Sequence, residues 1–209
     1  MKKFAIDNSS ILYLALIRKH HTNIFRFTMT LSEDIQPELL QAAVDGVYRR
    51  FPTIFAGLRP GFFRYSQVSA DHPPKAAPDP GLLINMTRQE IGRCALRVYY
   101  QGRKIHLEGF HGITDGYGMI AALSSLVAEY VHLRYGLEIP AGYPVFPVTE
   151  ASKQEETEDS YLRYAGQKPL HLPSRYSYQL PGSDPKCGPV LETTFTYPVQ
   201  ELLQCARRY

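Results

Sequence analysis

The residues most suited to chemistry lie between Phe110 and Met119, in the segment FHGITDGYGM. His111 carries an imidazole, which titrates near neutral pH and can accept a proton from an alcohol, amine or thiol that attacks an acyl group. Asp115 follows four residues later, where its carboxylate could hold the loop through backbone N–H groups or an arginine. Gly116 and Gly118 allow close approaches that a side chain would block. By spacing alone, such a histidine is more often structural than catalytic.

Two predicted elements position this segment. Lys104 to Gly109 is typical of a strand and forms a predicted hairpin with Leu96 to Tyr100, because Gly102 lies in the turn between them. Apolar residues at helical spacing predict an amphipathic helix from about Met119 to Tyr135, and Gly136 follows at a C-cap position. The N-terminal dipole of this helix points toward the loop and would favour a developing negative charge there.

Earlier in the chain, the alternation in 24–31 predicts a half-buried strand. A helix is predicted from Pro37 to Phe51, where Phe51-Pro52 ends its apolar stripe. Residues 62–68 favour a second strand, and the four prolines of 71–81 favour a loop.

After Gly136 the composition changes. Residues 139–147 contain several prolines and 150–159 are polar and mainly acidic, which is typical of a surface crossover. Residues 191–197 favour a strand, and a further helix is predicted from Pro198.

Bulk properties restrict the function classes. The 23 Lys+Arg against 20 Asp+Glu give a net charge of +3, too small and scattered to predict nucleic acid binding. The three cysteines, Cys94, Cys187 and Cys205, are widely spaced and form no CxxC pair, so neither zinc nor a disulfide framework is indicated. No run approaches the ~20 apolar residues of a membrane span, and Arg18 follows the short N-terminal apolar run where a signal peptide would have a small-residue cleavage site. We expect a cytoplasmic protein with reduced thiols.

The motif H-x-x-x-D-G between a strand and an amphipathic helix resembles the signature of the chloramphenicol acetyltransferase-like superfamily, which includes carnitine acyltransferases, condensation domains and alcohol acetyltransferases. Other segments occur in the order expected of bacterial alcohol acetyltransferase-like proteins. These are Asp7-Asn8-Ser9-Ser10, Phe25-Arg26-Phe27, the Pro37 helix ending in Arg49-Arg50-Phe51-Pro52, Leu58-Arg59-Pro60-Gly61-Phe62-Phe63, Glu158-Asp159-Ser160-Tyr161 and Glu201-Leu202-Leu203.

This resemblance implies an α+β fold, a two-layer α/β sandwich in which a mixed sheet carries helices on one face. It also implies that His111 is the general base, that Asp115 is mainly structural through an arginine salt bridge, and that Gly116 is structural at the active site. The arginine partner of Asp115 stays open.

Three features depart from the family. Phe110 occupies the position where many relatives have a first histidine. Family members are about twice as long, and nothing here matches the D-F-G-W-G-like segment of their second half. The chain therefore resembles the N-terminal half: a subdomain over 1–137, a crossover over 138–190 and the start of an incomplete second subdomain over 191–209.

The resulting hypothesis is an acyltransferase that moves an acetyl or other acyl group from coenzyme A, or from a carrier-protein pantetheine, to a hydroxyl or amine. Acyl-CoA would be a co-substrate rather than a permanently bound cofactor, and no metal is expected. No covalent acyl-enzyme is expected, because no serine or cysteine neighbours His111 in sequence. The alternative is a non-catalytic or fragmentary half-domain that binds a partner or self-associates through an exposed apolar face.

The remaining histidines outside helix 119–135 fit structural roles better. His20 and His21 precede a strand in what is predicted to be a polar turn, and His72 and His171 lie in proline-rich segments. His106 lies in the predicted strand, five residues before His111, so it would point to the opposite face.

Overall fold

A computed structural model describes residues 2–17, 23–159, 163, 166 and 195–208. The chain divides into two compact units, Met1–Pro169 and Leu170–Tyr209. All of the site residues discussed below lie in the first unit. The described part of the second unit contains one helix.

Seven strands are described: β1 Lys3–Phe4, β2 Ile24–Thr30, β3 Ala56–Pro60, β4 Tyr65–Ser69, β5 Ala76–Pro78, β6 Leu96–Gln101 and β7 Lys104–Phe110. Five α-helices accompany them: α1 Asn8–Ala15, α2 Pro37–Arg50, α3 Arg88–Arg93, α4 Gly116–Tyr135 and α5 Val199–Ala206. A short 3₁₀ helix spans Gln154–Glu156.

The main sheet has the strand order β2-β7-β6-β5 and carries α2 and α4 on one face. β2, β7 and β6 are antiparallel, whereas β5 runs parallel to β6, so the sheet is mixed. Alternate strand residues such as Val98, Ile105 and Leu107 are buried against the two helices. The predicted α+β class with a mixed sheet and helices on one face is confirmed.

The β6–β7 hairpin and α4, which flank the loop that carries His111, lie close to their predicted positions. The β6–β7 hairpin turns at Gly102, whose φ of +52° lies in the left-handed region that favours glycine. α4 ends at Gly136, which caps the helix in the same region with a φ of +66°. α4 begins three residues before the predicted start, because Asp115 serves as its N-cap.

A second, three-stranded sheet corrects the prediction of one strand over 62–68. Its order is β1-β4-β3, and the β3–β4 hairpin places Phe62 and Phe63 at an exposed tip rather than in a strand. The physical reason is that Gly61 turns the chain, donating its N–H to the carbonyl of Arg64. α1 and α3, which the sequence analysis did not predict, contribute Leu14 and Ile91 to a second core that includes Ala56 and Leu58 of β3.

The prediction that 71–81 forms only a loop is also wrong, because β5 lies within it. β5 is an edge strand, where the missing N–H of Pro78 costs no ladder hydrogen bond. The prolines of 71–81 are therefore compatible with a strand at the edge of the sheet.

The predicted crossover over 138–190 is described up to residue 159 and otherwise lies mostly outside the described residues. Residues 191–194 of the predicted strand also lie outside them, and 195–197 have no regular structure. The predicted helix after Pro198 is present as α5, with Pro198 at its N-cap.

Candidate active site

The loop that carries His111 connects the last residue of β7, Phe110, to the N-cap of α4, Asp115. Phe110 is buried in the second core, and its carbonyl accepts a hydrogen bond from the N–H of Ile113. The backbone N–H of His111 donates to the carbonyl of Asn23 at 2.7 Å, just before β2. These contacts fix the backbone of His111 between two core elements.

Two aromatic rings hold the imidazole of His111. The ring of Tyr13 stacks on it, with centroids 4.4 Å apart and planes at 20°. The ring of Phe25 contacts it at 4.8 Å with a tilt of 43°. Because the imidazole is half-buried between these neighbours, its rotation is restricted.

Helix α1 contacts the loop that carries His111 and holds its backbone in place. The buried hydroxyl of Ser10 donates to the carbonyl of Gly112 at 2.6 Å. The side-chain amide of Asn23 donates to the carbonyl of Tyr13 at 3.1 Å, so Asn23 connects both Tyr13 and His111. Asp7 begins α1 by accepting a hydrogen bond from the N–H of Ser10 at 2.6 Å.

Sequence reasoning missed the contacts of Ser10, Tyr13 and Asn23 because they join residues far apart in the chain. One local signal was present: Asp7 precedes the apolar run from Ile11 to Ile17, which is typical of a helix N-cap. Recognising that helix would not have placed it over the loop.

Asp115 holds the loop through the backbone rather than through an arginine. Its carboxylate accepts a hydrogen bond from the N–H of Gly118 at 3.0 Å and caps α4. Within the described ranges, no arginine forms an ion pair with Asp115. The backbone alternative raised from the sequence is therefore the contact seen here.

The steric need for glycine falls on Gly118 rather than on Gly116. A Cβ at Gly116 would meet only the ring of Phe27 at 3.8 Å, an ordinary contact. A Cβ at Gly118 would lie 2.0 Å from Oγ1 of Thr114 and 3.5 Å from Cδ1 of Ile54. Gly118 therefore allows α4 to begin close to the loop, and its N–H provides the cap for Asp115.

His111 lines a cavity of about 450 Å³, called the polar cavity below because most of its lining residues are charged or polar. The charged or polar residues around it are Asp7, Ser9, Ser10, Tyr13, Thr53, Gln67, His111, Thr114, Asp115 and the run Glu156-Thr157-Glu158-Asp159. None of the described residues that line this cavity is a lysine or arginine. The wall suits a neutral or cationic group bearing hydrogen-bond donors better than a phosphate.

A second cavity of about 230 Å³ adjoins the first and is largely apolar. The two share five lining residues, Thr53, Ile54, Gly118, Glu156 and Thr157. The apolar side chains of the second cavity are Phe51, Pro52, Ile54, Tyr117, Ala121, Tyr143 and Phe146.

Arg50 lines the apolar cavity, and its ion-pair partner Glu156 lines both cavities. Arg50, with a side chain 1% exposed, donates to both carboxylate oxygens of Glu156, at 2.5 and 3.0 Å. Its guanidinium also lies over the rings of Phe51 and Phe146, at 5.2 and 5.0 Å from their centroids. The hydrogen bonds from Arg50 lower the pKa of Glu156, so the pair is ionised near neutral pH.

Other reactive residues lie away from this site. His106 is buried on the face of β7 opposite to Ile105 and Leu107, and its Nδ1 lies 2.8 Å from the hydroxyl of Thr28. Burial and the nearby positive charge of Arg26 lower the pKa of His106, which keeps it neutral. Burial raises the pKa of the Cys94 thiol to about 11, which makes it a poor nucleophile. Among the residues placed by the structure, no group of three or more His, Cys, Asp or Glu could hold a metal ion.

Several solved structures have a fold similar to that of this chain. The starter condensation domain of the rhizomide synthetase RzmA matches with a TM-score of 0.53 and 14% identity, over 68% of this chain and 40% of that chain. The SgcC5 protein from Streptomyces globisporus matches with a TM-score of 0.51 and 17% identity, over 70% and 37%. The X-domain complex with OxyB from teicoplanin biosynthesis matches with a TM-score of 0.51 and 14% identity, over 68% and 35%.

The chain shares its fold with condensation domains. It spans 40% or less of the length of each of these three proteins. The likeness shows a shared fold, and it does not single out the alcohol acetyltransferase branch. No family model and no curated protein matches the sequence. In the part of the chain that the structure describes, every helix is too short or too polar to cross a membrane.

Proposed function

We propose that the protein is an acyltransferase that moves an acyl group from a coenzyme A or carrier-protein pantetheine thioester to a hydroxyl or amine. The observation that carries this proposal is the position of His111, whose ring lines the polar cavity while Tyr13 and Phe25 hold it. A half-buried imidazole with restricted rotation suits proton transfer at a fixed point. The condensation-domain fold supports the same reaction class by analogy.

In the proposed reaction, a ring nitrogen of His111 accepts the proton of the acceptor hydroxyl or amine. The acceptor oxygen or nitrogen attacks the thioester carbonyl carbon, and the carbonyl oxygen becomes an oxyanion. The intermediate then collapses with cleavage of the carbon–sulfur bond, and the leaving thiolate takes the proton from the imidazolium. The N-terminus of α4 lines the same cavity through Gly118, whose N–H is already donated to the carboxylate of Asp115, so the helix offers the oxyanion only its dipole.

We propose direct transfer without an acyl-enzyme. Ser9 and Ser10 both line the cavity, but neither is hydrogen-bonded to His111, and the hydroxyl of Ser10 is committed to the carbonyl of Gly112. The Cys94 thiol, with a pKa of about 11, does not line the cavity. A pre-steady-state burst of thiol release in the absence of acceptor would therefore contradict this step.

The charge of the polar cavity favours the acceptor as its ligand over the phosphate-bearing end of the donor. Its described lining includes Asp7 and Asp115, whereas Glu156 is paired with Arg50 and Glu158 with Arg163. The carboxylates of Asp7 and Asp115 favour an acceptor amine or hydroxyl and disfavour the phosphates of coenzyme A. The phosphate-bearing end of the donor would then lie outside this cavity, with only the thioester reaching His111.

The reaction class is tested by incubating the full chain with acyl-CoA and acyl-pantetheine donors of two to twelve carbons and panels of alcohols and primary amines. Free thiol is measured with a chromogenic reagent, and acylated acceptor is identified by mass spectrometry. The proposal requires thiol release that depends on acceptor and matches acylated product in amount. Acceptor-independent release, or no release with any acceptor, would overturn it.

A second candidate function has its own observation. The outer face of α1 exposes Ile11, Leu12 and Leu16 at 46%, 58% and 38%, although the inner face of the same helix holds the active-site loop. Such a surface favours self-association or a partner protein. Light scattering of the chain and of its Leu12→Ser variant tests this: a dimer that becomes monomeric supports association, and a monomer in both cases contradicts it.

A further inference from the structure

The polar and apolar cavities meet at Gly118, and this junction has a chemical consequence. His111 lines the polar cavity alone, whereas Ala121, one turn along α4 from Gly118, lines the apolar cavity alone. A group bound beside His111 could therefore extend past Gly118 into apolar surroundings, because the charged residue that the two cavities share, Glu156, is paired with Arg50.

Gly118 is tightly packed at this junction. The nearest atoms to an added Cβ would be Oγ1 of Thr114 at 2.0 Å and Cδ1 of Ile54 at 3.5 Å. A side chain at this position would therefore displace Thr114, which lines the polar cavity, or Ile54, which lines both cavities.

The far wall of the apolar cavity contains Arg50, yet its charge is neutralised. The guanidinium is bonded to both oxygens of Glu156 and lies against the rings of Phe51 and Phe146. The remaining wall residues include Tyr117, Ala121 and Tyr143. The exposed surface of this cavity is largely apolar and favours hydrocarbon, although Nε of Arg50 is buried without a hydrogen-bond partner.

We propose that the apolar cavity binds the hydrocarbon chain of a medium-chain acyl donor, while the polar cavity binds the acceptor. This inference rests on the proposed acyl transfer. If a methylene occupies about the ~30 Å³ of a water molecule, the cavity of about 230 Å³ holds a chain of roughly six to eight carbons. Each buried methylene adds about 0.8 kcal/mol, roughly fourfold, to binding.

The test compares acyl-CoA donors of two to twelve carbons for wild-type protein, Ala121→Leu and the control Ala128→Leu. Ala128 is on the same helix and does not line the apolar cavity. In wild type, kcat/KM should rise about fourfold per methylene up to roughly eight carbons. Ala121→Leu should move the optimum to shorter chains, and Ala128→Leu should leave it unchanged. An optimum at two carbons in wild type, or identical optima in all three proteins, would overturn the inference.

A second variant does not depend on packing a larger residue. Tyr117 is 74% exposed, so Tyr117→Ala should fold normally while opening the cavity wall and extending the optimum beyond that of wild type. No extension in the folded variant would count against the cavity as the chain site.

A binding measurement separates this inference from the proposed function. The non-transferable thioethers S-octyl-CoA and S-ethyl-CoA are titrated calorimetrically into wild type and Ala121→Leu. Tighter binding of the octyl compound by wild type, reduced in Ala121→Leu, supports the chain site even if no thioester is turned over. Equal binding of both compounds by wild type, together with acetyl transfer, would overturn the chain site and leave the proposed function standing.

Discussion

The ring of Tyr13 stacks on the imidazole of His111, with centroids 4.4 Å apart, and thereby joins the first helix of the chain to the loop that carries the candidate base. The hydroxyl of Ser10 reinforces this connection by binding the carbonyl of Gly112. α1 therefore belongs to the candidate site as a positioning element. The inner face of α1 lines the site, whereas its outer face exposes apolar side chains.

Replacing Tyr13 with leucine should lower kcat about five- to tenfold with little change in KM, because aromatic stacking contributes about 0.5–1.5 kcal/mol to holding the imidazole. Tyr13→Phe keeps the ring and should retain most of the activity. Steady-state kinetics of acceptor-dependent thiol release measure both. Equal losses in the two variants would indicate that the hydroxyl, not the stacking, is what counts.

Replacing Ser10 with alanine should destabilise the protein by about 1–2 kcal/mol, since the buried carbonyl of Gly112 loses its hydrogen-bond donor. Ser9→Ala is the matched control, because Ser9 is the exposed neighbour on the same helix. Urea unfolding followed by circular dichroism measures both. The contact is unimportant if the two variants unfold at the same urea concentration.

Replacing Asp115 with alanine should cost about 1 kcal/mol, because α4 loses the acceptor for the N–H of Gly118. Asp115→Asn retains a capping oxygen and should be close to wild type in stability. If an arginine were instead the main partner of Asp115, Asp115→Asn would leave that arginine without a counter-charge. Asp115→Asn would then destabilise the protein nearly as much as Asp115→Ala. Denaturant unfolding of the two variants distinguishes these outcomes.

The Arg50–Glu156 pair should respond unequally to the loss of either partner. Glu156→Gln leaves the guanidinium of Arg50 buried without a counter-charge and should cost about 3 kcal/mol. Arg50→Met leaves Glu156 with a partly exposed carboxylate that water can reach, and should cost about 1 kcal/mol or less. Unfolding free energies at pH 7 measure the difference, and a larger cost for Arg50→Met would contradict this description.

The same pair predicts a pH dependence with a definite sign. The pKa of Glu156 is lowered by its hydrogen bond from Arg50, so its contribution to stability is complete above the ordinary value of 4.5. That contribution is lost as the pH falls through the lowered pKa of the folded state. The stability difference between wild type and Glu156→Gln should therefore be constant above about pH 5.5 and shrink toward pH 3. A difference that does not change over this range would be incompatible with the ion pair.

Local patterns predicted the elements around the site well. Gly102 and Gly136 marked a turn and a helix end because each adopts a positive φ that other residues avoid. The apolar stripe of α2 located its buried face, including Leu40, Val44 and Val47. These signals are contained within a few residues, so the sequence carries them directly.

The contacts that position His111 could not be predicted in the same way. Ser10, Tyr13 and Asn23 reach the loop only because α1 folds over the end of β2, and no local pattern encodes that packing. Gly118 shows a related limit. The spacing suggested tight packing at the loop glycines, but only the positions of Thr114 and Ile54 show that Gly118 needs it and Gly116 does not.

The base role of His111 is tested most directly by comparing His111→Ala with His132→Ala in acceptor-dependent thiol release. His132 lies on the exposed face of α4 and outside the polar cavity. Both variants are first checked for folding by circular dichroism. The proposed mechanism predicts that kcat/KM falls at least about a hundredfold in His111→Ala and is unchanged in His132→Ala. Unchanged thiol release by a folded His111→Ala variant would contradict the mechanism.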